Sequence, residues 1–287
     1  MAAIDSGPTT DVKKDRAYLQ EKKRRQEPIV VLTCYDYPTA VAEEEAGIDV
    51  ILVGDSVGTN ILGYTSETEV TMSDMLHHVR AVRRGVQNAY LLADLPHLSF
   101  ATPELALRNA RALLEAGAEG VKLEGGLEQV PIVRRLVAAG IDICAHIGFT
   151  PQTLGSRGRI QGKTLEQAQG LFRSALALQD AGAFMLVLEL VTEDISRLIT
   201  ERLEIPTIGI GAGRYCDGQV LVITDVLGIS PFTRKLAKRY QEYRDLTVQA
   251  IGSYKEEVEG RRFPDEGNVF PTDPAELAAV RAWLDGR

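Results

Sequence analysis

The feature that most constrains this chain is a regular alternation, from Ile29 onward, of short apolar runs with helical patterns. Strand candidates fall at 29–33, 48–53, 89–94, 119–124, 141–146, 184–189, 205–210 and 219–224. Nearly continuous apolar runs of this length read as strands covered on both faces, as in parallel sheets. Helical patterns at 71–87, 103–116, 127–139, 164–181 and 192–203 separate most of them. Thr71 and Ser73 are candidate N-caps for the first of these, which ends at Gly85; Thr102-Pro103 opens the second and Gly117 closes it. Eight strands with intervening helices predict an α/β fold, a (β/α)8 TIM barrel, with a doubly wound open sheet as the alternative. Only about nine residues, GAGRYCDGQ, separate the last two strands, too few for a full helix.

Five of the runs close on a charged or titratable side chain: Asp55, Asp94, Glu124, His146 and Glu189. In a closed barrel the carboxyl ends of the strands converge on one face, where barrel enzymes carry their chemistry. Carboxylates gathered there repel unless a cation or a proton holds them together. Oxygen-only donors suit Mg²⁺ better than Zn²⁺, which takes His or Cys. Lys122 lies two residues before Glu124, so both point to the same face of their strand. An inward lysine beside an acid either clamps a substrate carboxylate or forms a structural ion pair with Glu124. The glycines of GDSVG (54–58) would admit a ligand close to the backbone, or simply turn the chain. Four large apolar residues, Met185 to Leu188, precede Glu189, so its surroundings are expected to be poorly hydrated.

The chain of 287 residues reads as one domain, with a polar segment at 1–27, a barrel over 28–260 and a tail from 261 to 287. An N-terminal helix precedes the barrel, and a C-terminal helical extension follows, with a long helical stretch at 231–258 and a closing helix at 275–286. The basic cluster Lys22, Lys23, Arg24 and Arg25 reads as part of a solvated helix, interspersed with Asp15, Glu21 and Glu27. A formal net charge of −8 disfavours a nucleic-acid surface. Cys34, Cys144 and Cys216 are widely spaced and form no CxxC pair, which fits a reduced cytoplasmic protein. The first residues carry no apolar h-region, and no run approaches the roughly 18 apolar residues of a membrane span. GIGAG (209–213) is no dinucleotide fingerprint, since Arg214 takes the sixth position and no adequate helix follows. His77 and His78 lack metal-ligand spacing and are expected to be structural; His97 is left without a role.

The ordered motifs TCYDYPTA (33–40), VILVGDSVG (50–58), LLADLP (91–96), GVKLEGG (120–126), HIGFTPQ (146–152), LVLELV (186–191) and IPTIGIGAG (205–213) resemble the ketopantoate hydroxymethyltransferase family over about residues 29–265. The resemblance implies hydroxymethyl transfer from 5,10-methylenetetrahydrofolate to 3-methyl-2-oxobutanoate, giving 2-dehydropantoate for pantothenate synthesis through an Mg²⁺-stabilised enolate. It implies Mg²⁺ bound by Asp55 and Asp94, with Glu124 as a third acid acting directly or through water. Ser56, Lys122 and His146 resemble contacts to the 2-oxo acid, beside Asp55 and Asp94, and Glu189 resembles the general base. A homodecamer is implied as well, with no nucleic-acid or membrane partner. The chain departs from the family at ETEVT (67–71), at His97, in the shorter loop 153–162 and in the tail after FPDE (263–266), none of which touches the acid set. Two other readings stand beside it. One is a different Mg²⁺-dependent 2-oxo-acid lyase or mutase of the phosphoenolpyruvate mutase and isocitrate lyase kind, whose Lys-Lys-Cys-Gly-His signature is missing here. The other is a catalytically silent assembly protein, which the intact acid set disfavours.

Overall fold

In the computed structural model, residues 12–154, 159–232 and 234–287 are described. Eight parallel strands close into a barrel in the order of the sequence, with β1 (Ile29–Thr33) hydrogen-bonded to β2 (Val50–Val53) and to β8 (Gly218–Leu221). Between them run β3 (Tyr90–Asp94), β4 (Gly120–Glu124), β5 (Asp142–Gly148), β6 (Met185–Glu189) and β7 (Thr207–Ile210). Helices α1 (Arg16–Arg24), α2 (Tyr37–Glu45), α3 (Met72–Arg83), α4 (Pro103–Glu115) and α5 (Val130–Val137) occupy the first half of the chain. They are followed by α6 (Pro151–Leu154), α7 (Leu165–Asp180), α8 (Glu193–Arg202) and α9 (Ile223–Val226). The expected (β/α)8 architecture is therefore present, and no helix joins β7 to β8.

Local chemistry sets most boundaries. Thr71, Thr102 and Thr164 accept hydrogen bonds from backbone N–H groups in the first turns of α3, α4 and α7, and Asp74 returns the bond at α3. Helix α2, with Asp36 as N-cap and Pro38 in its first turn, falls in a segment with no expected helix. The pattern at 127–139 divides into a 3₁₀ turn (Leu127–Gln129) and α5. Strand β8 stops at Leu221, short of the expected 224, because α9 begins at Ile223. In the stretch expected to be helical from 231 to 258, the described residues before Tyr243 are irregular.

The side-chain period of two separates two apolar layers. Ile51, Val53, Leu91, Ala93, Val121, Leu123, Ile143, Ala145, Leu186 and Leu188 face the helices and pack with Val79, Leu107, Val133 and Leu178. Val31, Val50, Leu52, Leu92, Cys144, Met185, Val187 and Ile208 fill the barrel interior, where the Tyr90 and Phe184 rings meet at 5.4 Å. Gly148, at φ +102°, is the point where a side chain is least admissible. A Cβ there would lie 2.2 Å from the backbone oxygen of Glu189 on the neighbouring strand.

The basic N-terminal helix is solvated on one side only: Arg24 and Arg25 are exposed beside Glu21, while Lys22 and Lys23 are not. Leu19 of α1 is fully buried in the interior cluster, so the helix closes the amino-terminal end of the barrel. Three acids at the entrances of strands bind its cations: Lys22 Nζ meets Asp49 at 2.6 Å, Lys23 Nζ meets Asp217 at 2.7 Å, and Arg16 meets Asp142 at 3.0 Å. Periodicity could not show this, because the partners lie 27 to 194 residues away in the chain.

By compactness the chain divides into two units, Met1–Tyr240 and Gln241–Arg287. The second holds α10 (Tyr243–Glu259) and α11 (Pro274–Asp285), and within it the Tyr254 and Phe263 rings meet edge to face at 5.7 Å.

Asp49 accepts from Lys22, from the Tyr18 hydroxyl at 3.0 Å and from the Val30 backbone N–H at 2.9 Å. Asp49→Ala would strand all three donors, and we expect a loss of about 3 kcal/mol in unfolding free energy. Urea denaturation measures it; a change under about 0.5 kcal/mol would mean that α1 contributes little to closing the barrel.

Candidate active site

The same period that buries the apolar interior delivers the polar groups to one end of it. Asp94 follows Leu92, Lys122 and Glu124 follow Gly120, His146 follows Cys144, and Glu189 follows Val187, each two residues further along an inward-facing set. Parallel register then makes neighbours of them: Asp94 stands opposite Lys122, and Glu124 opposite His146. Asp55 lies two residues beyond the end of β2, in a turn, where its backbone N–H donates to Asp94 Oδ2 at 3.0 Å. Asp55, Ser56, Asp94, Lys122, Glu124, His146 and Glu189 all line one cavity, with Thr33, Gly54, Glu67, Pro151 and Arg234 around it. All seven residues proposed from the sequence are thus brought together. His97 is half-buried and is not among the lining residues. His77 and His78 sit on α3, where His78 Nδ1 contacts the Tyr35 carbonyl oxygen at 2.6 Å.

Charge alternates around the rim. Lys122 Nζ lies 2.9 Å from Asp94 Oδ1, so its ion-pair partner is Asp94 and not Glu124, the partner in the structural alternative. His146 sits between two acids, with Nδ1 3.4 Å from Glu124 and Nε2 3.3 Å from Glu189. These are charge contacts without the direction of hydrogen bonds, and Asp94 Oδ1 and both ring nitrogens have no well-aligned partner. Tyr35, itself buried, contacts Ser56 Oγ through its hydroxyl at 2.8 Å. The Ser56 turn is held by Asn60 Nδ2, which donates to the Ser56 carbonyl at 2.9 Å.

The electrostatics follow from burial and from these neighbours. Burial raises the Asp55 carboxyl well above its ordinary value, and the Asp94 charge adds to this, with Lys122 opposing. Burial also penalises Lys122, but Asp94, Glu124 and Asp55 together hold its proton more tightly than usual. For His146, burial works against the charge, yet Glu124 and Glu189 overcome it and raise the ring from 6.5 to about 9. Burial opposes the Glu124 charge too, but contact with His146, assisted by Lys122 and the Gln152 N–H, leaves its carboxyl below the usual range.

Glu189 differs from expectation. Its side chain is 17% exposed, against 3% for Glu124 and Asp94. Of the four apolar residues before it, Leu186 and Leu188 face the helices, leaving Met185 and Val187 on its own side. The glycines of 54–58 are also constrained by packing, and Gly54 lines the cavity. A Cβ at Gly54 would lie 2.9 Å from Ser56 Oγ, and one at Gly58 would lie 2.6 Å from Val70, so both are packing requirements.

One polar residue of the site was missed. Gln152, at the start of α6, is buried; its side-chain Nε2 donates to Asp55 Oδ2 at 2.6 Å and to the Leu95 carbonyl at 3.1 Å. Its backbone N–H donates to Glu124 Oε2 at 3.0 Å. The only sequence signal was its place in HIGFTPQ, because a glutamine after a proline reads as an ordinary helix start.

The donor set accommodates a hard divalent cation. Asp55 and Asp94 are two buried acids whose charges oppose each other, and Asp94 Oδ1 has no directed donor. A cation between them would relieve both conditions. Among the described residues no three His, Cys, Asp or Glu side chains are gathered closely enough to hold a metal by themselves. Two carboxylates with water and substrate completing the shell is the usual arrangement for Mg²⁺.

The raised value of His146 has a consequence for the metal-free protein. A ring held near 9 when folded and near 6.5 when unfolded contributes stability that is full below 6.5 and is lost as pH rises through 9. His146→Gln should therefore abolish a decline in unfolding free energy between pH 6.5 and 9.5 that wild-type protein shows. Parallel pH profiles of the two proteins would refute the charge assignment.

Sequence comparison places these residues in a known context. The profile described as ketopantoate hydroxymethyltransferase matches residues 13–266. A 3-methyl-2-oxobutanoate hydroxymethyltransferase of Chloroflexus aurantiacus is 49% identical over 270 residues, covering 93% of this chain and 96% of that protein. One from Thermosipho africanus is 48% identical over 253 residues, covering 87% and 96%. Among solved structures, phosphonopyruvate hydrolase in complex with oxalate and Mg²⁺ superposes with a TM-score of 0.59 at 13% identity, covering 96% of this chain and 97% of that one. The 2,3-dimethylmalate lyase of the PEP mutase/isocitrate lyase superfamily gives 0.53 at 14%, covering 96% and 100%. At such identities the structural likeness concerns the fold alone.

Proposed function

The chain belongs to the ketopantoate hydroxymethyltransferase family and is a hydroxymethyltransferase, and on that premise we propose how its residues divide the work. The substrates in this reading are 3-methyl-2-oxobutanoate and 5,10-methylenetetrahydrofolate, and the products are 2-dehydropantoate and tetrahydrofolate. Asp55 and Asp94 would hold Mg²⁺, with Glu124 engaged through water, since its oxygens already face His146 and the Gln152 N–H. When bound, the ion supplies a Lewis acid for the keto and carboxylate oxygens of the 2-oxo acid.

The remaining steps belong to side chains. Lys122 and Ser56 orient the substrate carboxylate and keto group at the cavity floor. Glu189 takes the proton from C3, and the electron pair left on that carbon attacks the one-carbon unit of the folate. A water supplies the hydroxyl oxygen as both C–N bonds that hold the one-carbon unit to the folate break, and the two freed nitrogens take up the C3 proton and one proton of that water. His146 stands 3.3 Å from Glu189 as a charge partner, while the part of Glu189 that is exposed stays within reach of a substrate. The observation that carries this reading is the pairing of conflicting buried acids, Asp55 and Asp94, with an accessible carboxylate, Glu189, across one cavity. Assembly into a homodecamer is part of the same proposal. No helix among the described residues is long and apolar enough to cross a membrane.

Three variants test the division. Asp55→Asn and Asp94→Asn should each abolish Mg²⁺-dependent binding of 3-methyl-2-oxobutanoate by calorimetry, while circular dichroism stays that of the wild type. Glu189→Gln should still bind metal and 2-oxo acid but lose the folate-independent exchange of the C3 proton with deuterium by at least 100-fold. Exchange at near wild-type rate would return Glu189 to a structural role. Turnover of 3-methyl-2-oxobutanoate only in the presence of the folate donor distinguishes this reaction from a lyase or mutase.

A further inference from the structure

Gln152 contacts two members of the acid set, Asp55 and Glu124, yet it carries no charge. One residue from the segment after β5 reaches the acid beyond β2 through its side chain, the loop after β3 through the same nitrogen, and the acid on β4 through its backbone. Both side-chain contacts are with acceptors, which fixes the amide orientation: Nε2 faces Asp55 and Leu95, and Oε1 points elsewhere. That oxygen is buried and has no hydrogen-bond partner. A buried acceptor left in this state costs about 1–3 kcal/mol, a cost that a donating water would remove.

The contrast with Lys122 is informative. Lys122 neutralises Asp94 as it touches it, at 2.9 Å. The Gln152 amide holds Asp55 Oδ2 at 2.6 Å and leaves the carboxylate's charge intact for another cation. Neutral donors that fix a ligating carboxylate typically account for 10- to 100-fold in metal affinity.

We propose that Gln152 is a positioning residue that sets the affinity of this site for its divalent cation. It fixes the Asp55 carboxylate through Nε2 and accepts a hydrogen bond from the cation's hydration shell through Oε1. The proposal rests on the metal reading given above. The competing role is a purely structural tie between the segment after β5 and the Leu95 carbonyl.

Titration of the substrate-free protein with Mn²⁺, followed by the electron paramagnetic resonance of free Mn²⁺, separates these roles. Gln152→Asn retracts the amide by about one C–C bond, about 1.5 Å, and Gln152→Met removes donor and acceptor at similar volume. Both keep the backbone N–H to Glu124. Each should raise the Mn²⁺ dissociation constant about 10- to 100-fold. At saturating Mn²⁺, C3-proton exchange should return to near the wild-type rate, because the defect is one of metal affinity. Wild-type Mn²⁺ affinity in either folded variant overturns the proposal and leaves Gln152 a structural tie. A wild-type protein that binds no Mn²⁺ would remove the metal reading itself, an outcome distinct from the first. Should neither variant fold, the unaltered protein decides: with glutamine side chains labelled with ¹⁵N, electron–nuclear double resonance of the Mn²⁺ complex should show a weak dipolar amide coupling. Its absence counts against Gln152.

Discussion

Parallel register at the carboxyl end of the barrel is the constraint on which the rest depends. It sets Asp94 beside Lys122 and Glu124 beside His146, so that acids and cations alternate around the rim. Six ionisable groups could not share so small a space if like charges met at every position. Where two acids do meet, at Asp55 and Asp94, burial and repulsion push Asp55 far from its ordinary value. That is the one place in the ring where two buried acids face each other, and it is where the proposed cation would sit. The local conflict is tolerated because β3 holds Asp94 in place and the Gln152 amide holds Asp55.

The two ends of the barrel use charge in opposite ways. At the amino-terminal end, Asp49 and Asp217 are matched to Lys22 and Lys23 of α1, and the contacts have the short, directed geometry of structural pairs. At the carboxyl end, contacts of 3.3 and 3.4 Å around His146 lack that direction, and several buried polar atoms have no aligned partner. Satisfied polar groups mark a closure, and unsatisfied ones mark a site that a ligand completes. The comparison assigns chemistry to one face without reference to any relative.

Membership of a hydroxymethyltransferase family and likeness to lyases and hydrolases of the same barrel are compatible. The fold supplies a ring of strand ends, and the reaction depends on which residues stand there. Among the strand-end acids of this chain Glu189 is the most exposed, while Glu124 and Asp94 are almost fully enclosed. That difference in exposure, and not residue type, is what distinguishes Glu189 from the enclosed acids beside it.

The sequence alone determined the strand count, the missing helix between the last two strands and the seven residues that share the cavity. It could do so because side-chain period and strand length are local properties, written in consecutive residues. It also determined which side chains point inward on a strand, as with Lys122 and Glu124. Tertiary structure decided partners. Lys122 binds Asp94, from the neighbouring strand, and not its own Glu124; Lys22 and Lys23 bind acids far along the chain; and Gln152 joins Asp55 across 97 residues. It decided as well that Glu189 is the more hydrated acid, since the alternation of the strand turned two of its four apolar neighbours away. Such pairings depend on register, closure and distance in space, which no local pattern encodes.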